Sequence, residues 1–334
     1  MHISKRKRIG VVLFQLGGPD SLAAVEPFLY NLFCDPDIIN FPGAFLARKP
    51  LAKLISTRRS KVVREHYREI GGGSPIGRLT ELQAGALSEA LAPHVDARVV
   101  IAMRYWKPST HDAIAALDGN SFDELILLPL YPHYSFATTG SSLKEWNRLF
   151  RENDFPMRLV ENFHDHPNYI AALVENIGLV LARAEYPEKI LLVFSAHGLP
   201  LNLVERGDPY PRQIAETVRL VCERGAWPNR HLLCYQSRVG PQKWLEPSLV
   251  KTIEDLGRKG EKRVLVIPVS FVTEHIETLH EINIEARELA ARFGVEEFLM
   301  MPALNDSPRF IAALEDLVLR AAGVARVNHI ATPS

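Results

Sequence analysis

Residues Ile190–Pro200 read I-L-L-V-F-S-A-H-G-L-P, an apolar run that passes into a polar loop. A strand buried on one face alternates apolar and polar residues, whereas this run is apolar at every position as far as Ser195. Uninterrupted runs of this kind are typical of parallel strands that helices cover on both faces. The stretch therefore predicts a central strand of an α/β sheet, with His197 just beyond its end.

Similar apolar runs recur along the chain and are separated by amphipathic stretches with helical spacing. Alternation of strands and helices implies right-handed crossovers and a doubly wound α/β fold. We predict strands at Gly10–Leu16, Arg98–Tyr105, Leu125–Tyr131, Met157–Phe163, Ile190–Ser195, Leu232–Gln236, Arg263–Ser270 and Phe298–Met301. We predict helices at Leu79–Leu91, Asn168–Ala184, Pro211–Arg224, Ile276–Arg292 and Arg309–Ala322.

The predicted strands divide into four and four at a seam near His164–Asn168. The expected fold is α/β, with two Rossmann-like lobes that are each a four-stranded parallel sheet flanked by helices. We expect an N-terminal lobe over residues 1–165, a C-terminal lobe over residues 166–325 and a cleft between them. No sequence repeat links the two halves. Ligands of such sheets bind beyond the carboxyl ends of the strands, so the informative positions should follow each strand.

The composition is that of an ordinary globular protein. Among the 334 residues, 39 basic side chains balance 39 acidic ones, which gives no overall electrostatic reason to bind nucleic acid. Cys34, Cys222 and Cys234 form neither a disulfide framework nor a zinc motif, which favours the reduced cytoplasm. No stretch approaches the ~20 apolar residues of a membrane span, so we expect a protein that is soluble or lies on a membrane surface.

Polar and glycine-rich segments follow the predicted strands, and Ser195–Pro200 is the most informative of them. Histidine exchanges protons near neutral pH, and its neutral imidazole is also a good metal ligand. Gly198 permits close approach of a ligand, and Pro200 stiffens the exit from the strand. A loop histidine that only caps the backbone is the alternative, but the position after a buried strand favours a functional role for His197.

An acidic row opens the predicted helix after the seventh strand. Glu277, Glu281 and Glu285 are spaced i, i+4 and i+8, so on an α-helix with a rise of ~1.5 Å per residue they form a row ~12 Å long. Such a row can attract a divalent cation or pass protons outward. On spacing alone, a solvated helix face with Arg287 and Arg292 as counter-charges explains it equally well.

The loop Gly71–Pro75 reads G-G-G-S-P, and its backbone N–H groups could hold an anion. It lacks the Lys-Ser/Thr ending of a P-loop, so it does not predict a nucleotide site. Several basic residues lie nearby and offer donors for carboxylates, although a charged helix face explains two of them, Arg64 and Arg68, equally well. The others are Arg58 and Arg59.

The segment Ile38–Ile55 mixes phenylalanine and leucine with basic residues. Pro42 and Pro50 argue against one continuous helix, because proline removes a helical hydrogen bond and clashes with the preceding turn. The segment suits either an internal core element or a lip that touches a bilayer or a flat apolar ligand.

Taken together, several strings of the sequence resemble the ferrochelatase family, and the likeness covers almost the whole chain. Any one string would be unspecific, but seven in the family's order are very specific. They are L-G-G-P at Leu16–Pro19, Y-R-E-I-G-G-G-S-P at Tyr67–Pro75, Y-P-H-Y-S-F-A-T-T-G-S-S at Tyr131–Ser142, S-A-H-G-L-P at Ser195–Pro200, R-G-D-P-Y-P at Arg206–Pro211, Q-S-R-V-G-P at Gln236–Pro241 and H-I-E-T-L-H-E at His275–Glu281.

The resemblance implies roles for particular residues. His197 and Glu277 would face each other over the porphyrin centre, exchange the pyrrole N–H protons and ligate iron. His275 would stand behind this pair, and Glu281 and Glu285 would continue a proton or metal path toward solvent. Arg59, Tyr67 and Ser74 match positions that hold the porphyrin propionates, and Tyr105, Trp244 and Phe271 match residues around the macrocycle.

The activity implied by the resemblance is insertion of Fe²⁺ into protoporphyrin IX with release of two protons, the terminal step of haem biosynthesis. No cofactor is expected beyond the substrate iron. Some relatives carry a [2Fe–2S] cluster, but Phe136 occupies the internal cysteine position here and residues 305–334 contain no cysteine. The lip and the glycine strings look more like the protoporphyrin-using branch that touches membranes, which implies a cytoplasmic protein with peripheral contact to the inner membrane.

Other functions remain open at the level of sequence. They are a coproporphyrin III ferrochelatase, a chelatase that loads cobalt into another tetrapyrrole, and a porphyrin or haem carrier without catalysis. A metal-dependent hydrolase would need a ligand set at recognisable spacing, which the sequence lacks. No helical pattern singles out a dimer face, so the oligomeric state stays open.

Overall fold

The computed structural model describes residues 6–36, 44–150, 155–238 and 242–325. Eight strands correspond one to one to the eight predicted strands: β1 Arg8–Gln15, β2 Asp96–Met103, β3 Glu124–Pro129, β4 Met157–Leu159, β5 Leu191–His197, β6 His231–Gln236, β7 Arg263–Pro268 and β8 Glu297–Met300. They form two all-parallel sheets with the orders β2-β1-β3-β4 and β6-β5-β7-β8. The predicted α/β fold is confirmed.

Helices cover both sheets. They are α1 Val25–Phe33, α2 Ala44–Glu69, α3 Ile76–Leu91, α4 Thr110–Leu117, α5 Ser141–Leu149, α6 Pro167–Leu181, α7 Leu201–Glu205, α8 Tyr210–Gly225, α9 Leu249–Arg258, α10 Arg287–Arg292 and α11 Pro308–Ala321. Two π-helices, Phe136–Gly140 and Glu277–Ala286, and one 3₁₀ turn at Pro187–Lys189 complete the described elements. No helix in these ranges is long and apolar enough to cross a membrane.

The two sheets share one topology. In each, the first strand of the lobe pairs with the second and the third, and the fourth joins the outer side of the third. A π-helix follows the third strand in both lobes, after β3 and after β7. The architecture therefore repeats although no repeat is visible in the sequence, because burial patterns and connection lengths can be shared without shared residues.

The central strands are apolar because both of their faces are covered. Every residue of β3 is buried, and in β5 burial extends from Leu191 to Ala196. One hydrophobic cluster contains Leu13 and Ile126 of the first sheet together with Phe194 and Ile267 of the second. The sheets are thus joined by a continuous core.

Contacts between the lobes come from both polar and apolar groups. The buried Gln83 side chain of α3 donates to Thr273 Oγ1 over 3.0 Å and to the Asn305 carbonyl over 2.9 Å. The last helix, α11, packs on α3 and on α6. The boundary between residues 165 and 166 remains a prediction, and α11 reaches back across it.

Two helix predictions need correction. Pro50 does not interrupt a helix, since α2 runs from Ala44 to Glu69 with Pro50 inside it. Helix α2 packs along α1, and tertiary packing of this kind can outweigh the hydrogen bond that a proline removes. The remainder of the predicted lip, residues 38–43, lies outside the described residues. The stretch Ile276–Arg292 is not one α-helix either, because a π-helix occupies Glu277–Ala286 and an α-helix follows.

Candidate active site

His197 and Glu277 form a close pair at the carboxyl edge of the second sheet. His197 is the last residue of β5, and Glu277 begins the π-helix that follows β7. Because β5 and β7 are parallel neighbours, their carboxyl ends bring the two side chains together. His197 Nδ1 lies 2.7 Å from Glu277 Oε2, and the two side chains are 39% and 20% exposed. A ligand can therefore reach the pair from solvent.

The loop that carries His197 is fixed by hydrogen bonds from three directions. The His197 backbone N–H donates to Ser270 Oγ over 2.9 Å, and the Tyr210 hydroxyl donates to the His197 carbonyl over 3.0 Å. The next N–H, of Gly198, donates to the Gln236 carbonyl over 2.7 Å. A Cβ at Gly198 would lie 2.7 Å from that same oxygen, so this close approach requires glycine.

The two members of the pair shift each other's protonation. Burial alone would lower the pKa of His197, but the charge of Glu277 and the hydrogen bond to it outweigh burial and raise the pKa above its ordinary value. Burial would raise the pKa of Glu277, but the charge and hydrogen bond of His197 hold that pKa well below its ordinary value. Each member of the pair therefore favours the charged form of the other.

Ser237 connects Glu277 to the next carboxylate of the row. Its backbone N–H donates to Glu281 Oε1 over 2.7 Å, and its hydroxyl lies 3.2 Å from Glu277 Oε2 and in contact with Glu281 Oε2. Burial and the neighbouring charge of Glu277 raise the pKa of Glu281 to about 7. The third carboxylate, Glu285, is 53% exposed, so exposure increases along the row from Glu277 at 20% to its outer end.

The row differs in geometry from the α-helical one predicted. In an α-helix residues four apart lie slightly beyond one full turn, whereas the i→i+5 hydrogen bonds of a π-helix place them slightly short of one turn. Glu277 and Glu281 both reach Ser237 in this arrangement. Since π-helical segments are rare and concentrate at functional sites, the conformation itself marks the region.

His275 stands behind Glu277. Its Nδ1 lies 3.1 Å from the Thr273 carbonyl, so it carries the proton, and its Nε2 lies 3.9 Å from Glu277 Oε2. Burial lowers the pKa of His275, which favours the neutral ring. The Phe271 ring lies edge-on to both histidines, with centroids 6.1 Å from His197 and 4.4 Å from His275. Two further predicted site residues, His275 and Phe271, thus lie against the pair.

The N-terminal lobe contributes an apolar wall. Tyr67 and Tyr105 belong to one hydrophobic cluster, and Ile276, directly before Glu277, packs against that cluster. Burial and the charge of Glu277 raise the pKa of Tyr67, so its hydroxyl remains a donor. The Tyr105 hydroxyl donates to Asp35 Oδ2 over 2.6 Å, which fixes the ring within the cluster. These two predicted residues therefore approach the site from the lobe opposite His197.

Two other predicted site residues lie in opposite lobes, Arg59 on α2 and Trp244 after β6. Arg59 is exposed on α2 and covers the Phe33 ring at 5.8 Å. Trp244 pairs with Pro200 through an antiparallel bridge, and a Cβ at Gly198 would lie 3.2 Å from its ring.

The two glycine strings of the N-terminal lobe pack against each other. The Ser74 N–H donates to the Pro19 carbonyl over 2.7 Å, and a Cβ at Gly18 would lie 2.7 Å from the Ser74 side chain. A Cβ at Gly73 would lie 2.5 Å from the Asp20 carbonyl oxygen. The two strings therefore pack closely and position Ser74. Gly18 and Gly73 serve this close packing, whereas the sequence alone indicates that the glycines of Gly71–Pro75 form a loop that could hold an anion.

Sequence reasoning missed Ser237, Tyr210 and Glu274. Ser237 and Tyr210 lie within strings that were noted, Q-S-R and D-P-Y-P, but nothing local distinguishes them. Glu274 is buried and accepts from the Ala303 N–H over 2.8 Å and from the Thr278 hydroxyl. It thereby anchors the start of the π-helix. The positive φ of Ser237, +64°, becomes visible only in the folded backbone.

Comparison with known proteins gives a consistent result over the whole chain. The sequence model of the ferrochelatase family matches residues 8–322. A ferrochelatase of Picosynechococcus sp. is 47% identical over 317 residues, covering 93% of this chain and 82% of the relative. A ferrochelatase of Parasynechococcus marenigrum is 48% identical over 322 residues, with the same two coverages of 93% and 82%.

Solved structures with the same fold are much more distant in sequence. SirB from Bacillus subtilis, solved with Fe³⁺, has a TM-score of 0.58 at 12% identity and covers 95% of this chain and 96% of its own. CbiX, described as the terminal enzyme of sirohaem biosynthesis in denitrifying bacteria, has a TM-score of 0.52 at 13% identity, with coverages of 94% and 99%. At such identities the likeness establishes the fold alone.

Proposed function

The chain belongs to the ferrochelatase family and inserts a metal ion into a tetrapyrrole, and we propose that its reaction is insertion of Fe²⁺ into protoporphyrin IX to form protohaem. In this proposal the reaction is the terminal step of haem biosynthesis. The observation that carries the proposed site is the His197–Glu277 pair, joined over 2.7 Å and open to solvent at the end of a parallel sheet.

Insertion has a simple proton balance. Two pyrrole N–H protons must leave as Fe²⁺ enters, so the site has to accept two protons in turn and return to its starting state. His197 and Glu277 are a base and a carboxylate in direct contact, and both types of side chain can accept a proton or ligate iron. We assign proton removal and metal ligation to the pair as a unit, because the two groups titrate together.

We propose that Glu281 passes the protons on. Its carboxyl shares the Ser237 hydroxyl with Glu277, and its pKa of about 7 lets it take up and release a proton near neutral pH. Glu285, half exposed at the outer end of the row, would deliver the proton to water or receive the incoming metal ion. His275, held neutral, would orient Glu277 from behind.

The macrocycle would lie between the lobes. Phe271 and Trp244 would contact it from the C-terminal lobe and Tyr105 from the N-terminal lobe, while Arg59, Tyr67 and Ser74 would hold the propionates. A rigid pocket that favours a bent porphyrin exposes the nitrogen lone pairs, which is binding energy used to lower the barrier. The buried ring of Tyr105 and its bond to Asp35 support such rigidity.

The first experiment is anaerobic incubation with protoporphyrin IX and Fe²⁺, followed through the visible spectrum of the porphyrin. We expect metallation by the wild type and a loss of at least a hundredfold in kcat for His197→Ala and for Glu277→Gln. Glu254→Gln, on α9, is the matched control and should behave as wild type. Normal turnover by either site variant would contradict the proposed roles of the pair.

The same assay separates the alternatives. Rapid metallation of coproporphyrin III with slow metallation of protoporphyrin IX would overturn the substrate assignment but leave the site intact. A carrier would bind porphyrin tightly in wild type and variants alike and would not turn it over. Preference for Co²⁺ and another tetrapyrrole over Fe²⁺ and both porphyrins would identify the cobalt chelatase.

We also propose that the protein works in the cytoplasm, touches the inner membrane surface through α2, and carries no [2Fe–2S] cluster. Exposed apolar side chains at Leu54 and Val62 lie among basic residues on α2, a combination suited to an anionic bilayer. A [2Fe–2S] cluster takes four ligands, more than the three cysteines of the chain supply. A [2Fe–2S] absorption spectrum after anaerobic purification would contradict the proposed absence of the cluster.

A further inference from the structure

A second group of potential metal ligands lies outside the His197–Glu277 pair. His66, His280 and Glu285 each offer one ligand atom, and the three atoms lie within 4.8 Å of one another. His66 belongs to α2 of the N-terminal lobe, whereas His280 and Glu285 belong to the π-helix of the C-terminal lobe. The group therefore spans the boundary between the lobes.

The two ring nitrogens of His280 have different neighbours. Nε2 lies 2.7 Å from Glu69 Oε2, and Nδ1 lies 3.6 Å from Glu285 Oε1. A histidine that ligates a metal through one nitrogen commonly donates its other N–H to a carboxylate, which fixes the ring and raises its basicity. Glu69 provides that carboxylate, and Nδ1 is thereby turned toward Glu285.

His66 completes the group from the other lobe. Its ring stacks on that of His280, with centroids 4.1 Å apart and an interplanar angle of 18°. Glu69 and Glu285 are about half exposed, so a hydrated ion can approach from solvent.

We propose that His66, His280 and Glu285 bind a first-row divalent cation such as Fe²⁺, Co²⁺ or Zn²⁺, which clamps α2 to the π-helix. Two imidazoles and one carboxylate suit these ions better than Mg²⁺ or Ca²⁺, which prefer oxygen ligands. Three protein ligands leave one position for water. Ligands about 2.0–2.1 Å from one ion lie roughly 3–3.5 Å apart. Side-chain rotation therefore has to shorten the longest separation, 4.8 Å, by about 1.5 Å and turn the two stacked imidazoles out of parallel, because their lone pairs lie in the ring planes.

The clamp has a structural consequence. The π-helix that carries His280 and Glu285 begins with Glu277, and α2 carries Tyr67 one position beyond His66. An ion held here would fix the separation between the apolar wall of one lobe and the acidic row of the other. The site stands on its own geometry and does not depend on which porphyrin the protein metallates.

The test uses the full chain with the central pair removed by His197→Ala and Glu277→Gln, so that Co²⁺ has no site there. We expect one Co²⁺ per chain in calorimetry, with visible d–d absorption. Adding His66→Ala or Glu285→Gln should lower the affinity for Co²⁺ at least tenfold. Adding His111→Ala, which changes an exposed histidine of α4, should leave that affinity unchanged. Circular dichroism checks that each variant is folded.

Thermal unfolding provides the second readout. Zn²⁺ should raise the Tm of the double variant, and this rise should disappear when His66→Ala is added. Failure of the folded double variant to bind Co²⁺ would overturn the proposal. So would undiminished Co²⁺ affinity after both His66→Ala and Glu285→Gln, since the half-exposed Glu285 can be changed without disturbing the core.

Discussion

The backbone N–H of Ser237 donates to Glu281 Oε1 over 2.7 Å, and this bond joins the end of β6 to the π-helix after β7. The Ser237 hydroxyl lies between Glu281 and Glu277. The Ser237 side chain therefore links Glu281 to the His197–Glu277 pair, so a change of charge at Glu281 should affect the pair. The first two predictions follow from this arrangement.

Removing carboxylates should lower the pKa of His197. Glu277 and Glu281 both stabilise the imidazolium, so loss of either negative charge makes the proton easier to remove. We expect the larger decrease for Glu277→Gln, which removes a negative charge 2.7 Å from Nδ1, and a smaller one for Glu281→Gln. Titration of the ¹⁵N-labelled imidazole by NMR measures this order. Glu285→Gln is the control with the smallest change, and an unchanged pKa in Glu277→Gln would refute the coupling.

Ser237→Ala should raise the KM for Fe²⁺ more than it lowers kcat. The hydroxyl lowers the pKa of both Glu277 and Glu281, so its loss leaves Glu281 more protonated near neutral pH and less attractive to a cation. We expect the KM for Fe²⁺ to rise several-fold with a smaller change in kcat. Ser237→Gly removes the same hydroxyl but relieves the positive φ of +64°. If only the alanine variant is impaired, backbone strain and not the hydroxyl is responsible.

Acid should destabilise the protein partly through His133. His133 Nε2 lies 2.9 Å from Thr217 Oγ1, whose own proton goes to the His164 carbonyl, so Nε2 carries the hydrogen. Nδ1 is buried and has no hydrogen-bond partner among the described residues. Burial holds the pKa of His133 well below 6.5, so the unfolded chain takes up a proton first as the pH falls.

The free energy of unfolding should therefore decrease below pH 6.5, with His133 contributing at most about 1.4 kcal/mol per pH unit. Above that pH both states are neutral at His133 and the effect vanishes. His133→Gln retains a donor for Thr217 and should show a shallower decrease in urea unfolding between pH 6.5 and pH 5. Substitution of the exposed His111 by Gln should leave the slope as in wild type.

Exposed apolar residues of α2 should matter for binding to anionic vesicles. Val62 is 60% exposed on α2 among basic residues, and Val250 on α9 is 57% exposed. We expect Val62→Glu to reduce co-sedimentation with phosphatidylglycerol vesicles several-fold and Val250→Glu to have little effect. Because the two changes are chemically identical at similar exposure, equal losses would show that α2 is not the contact surface.

Much of this protein could be predicted before its structure, because parallel strands buried on both faces leave an unmistakable local pattern. The eight strands follow from such patterns. The position of His197 and Glu277 at the carboxyl ends of β5 and β7 follows from these patterns together with the family strings. Pro50 shows the limit of rules based on local sequence. It lies inside the continuous helix α2, which packs on α1. The π-helix shows it too, because nothing in the spacing of Glu277, Glu281 and Glu285 distinguishes it from an α-helix.

What the sequence by itself determined is thus the order of elements and the chemical identity of the central pair. Tertiary structure decided how these groups meet. Ser237 reaches Glu281 across 44 positions, and Glu69 reaches His280 across 211. Such contacts depend on how sheets, helices and lobes pack in space, and residue spacing along the chain carries no record of distances between segments that meet only after folding.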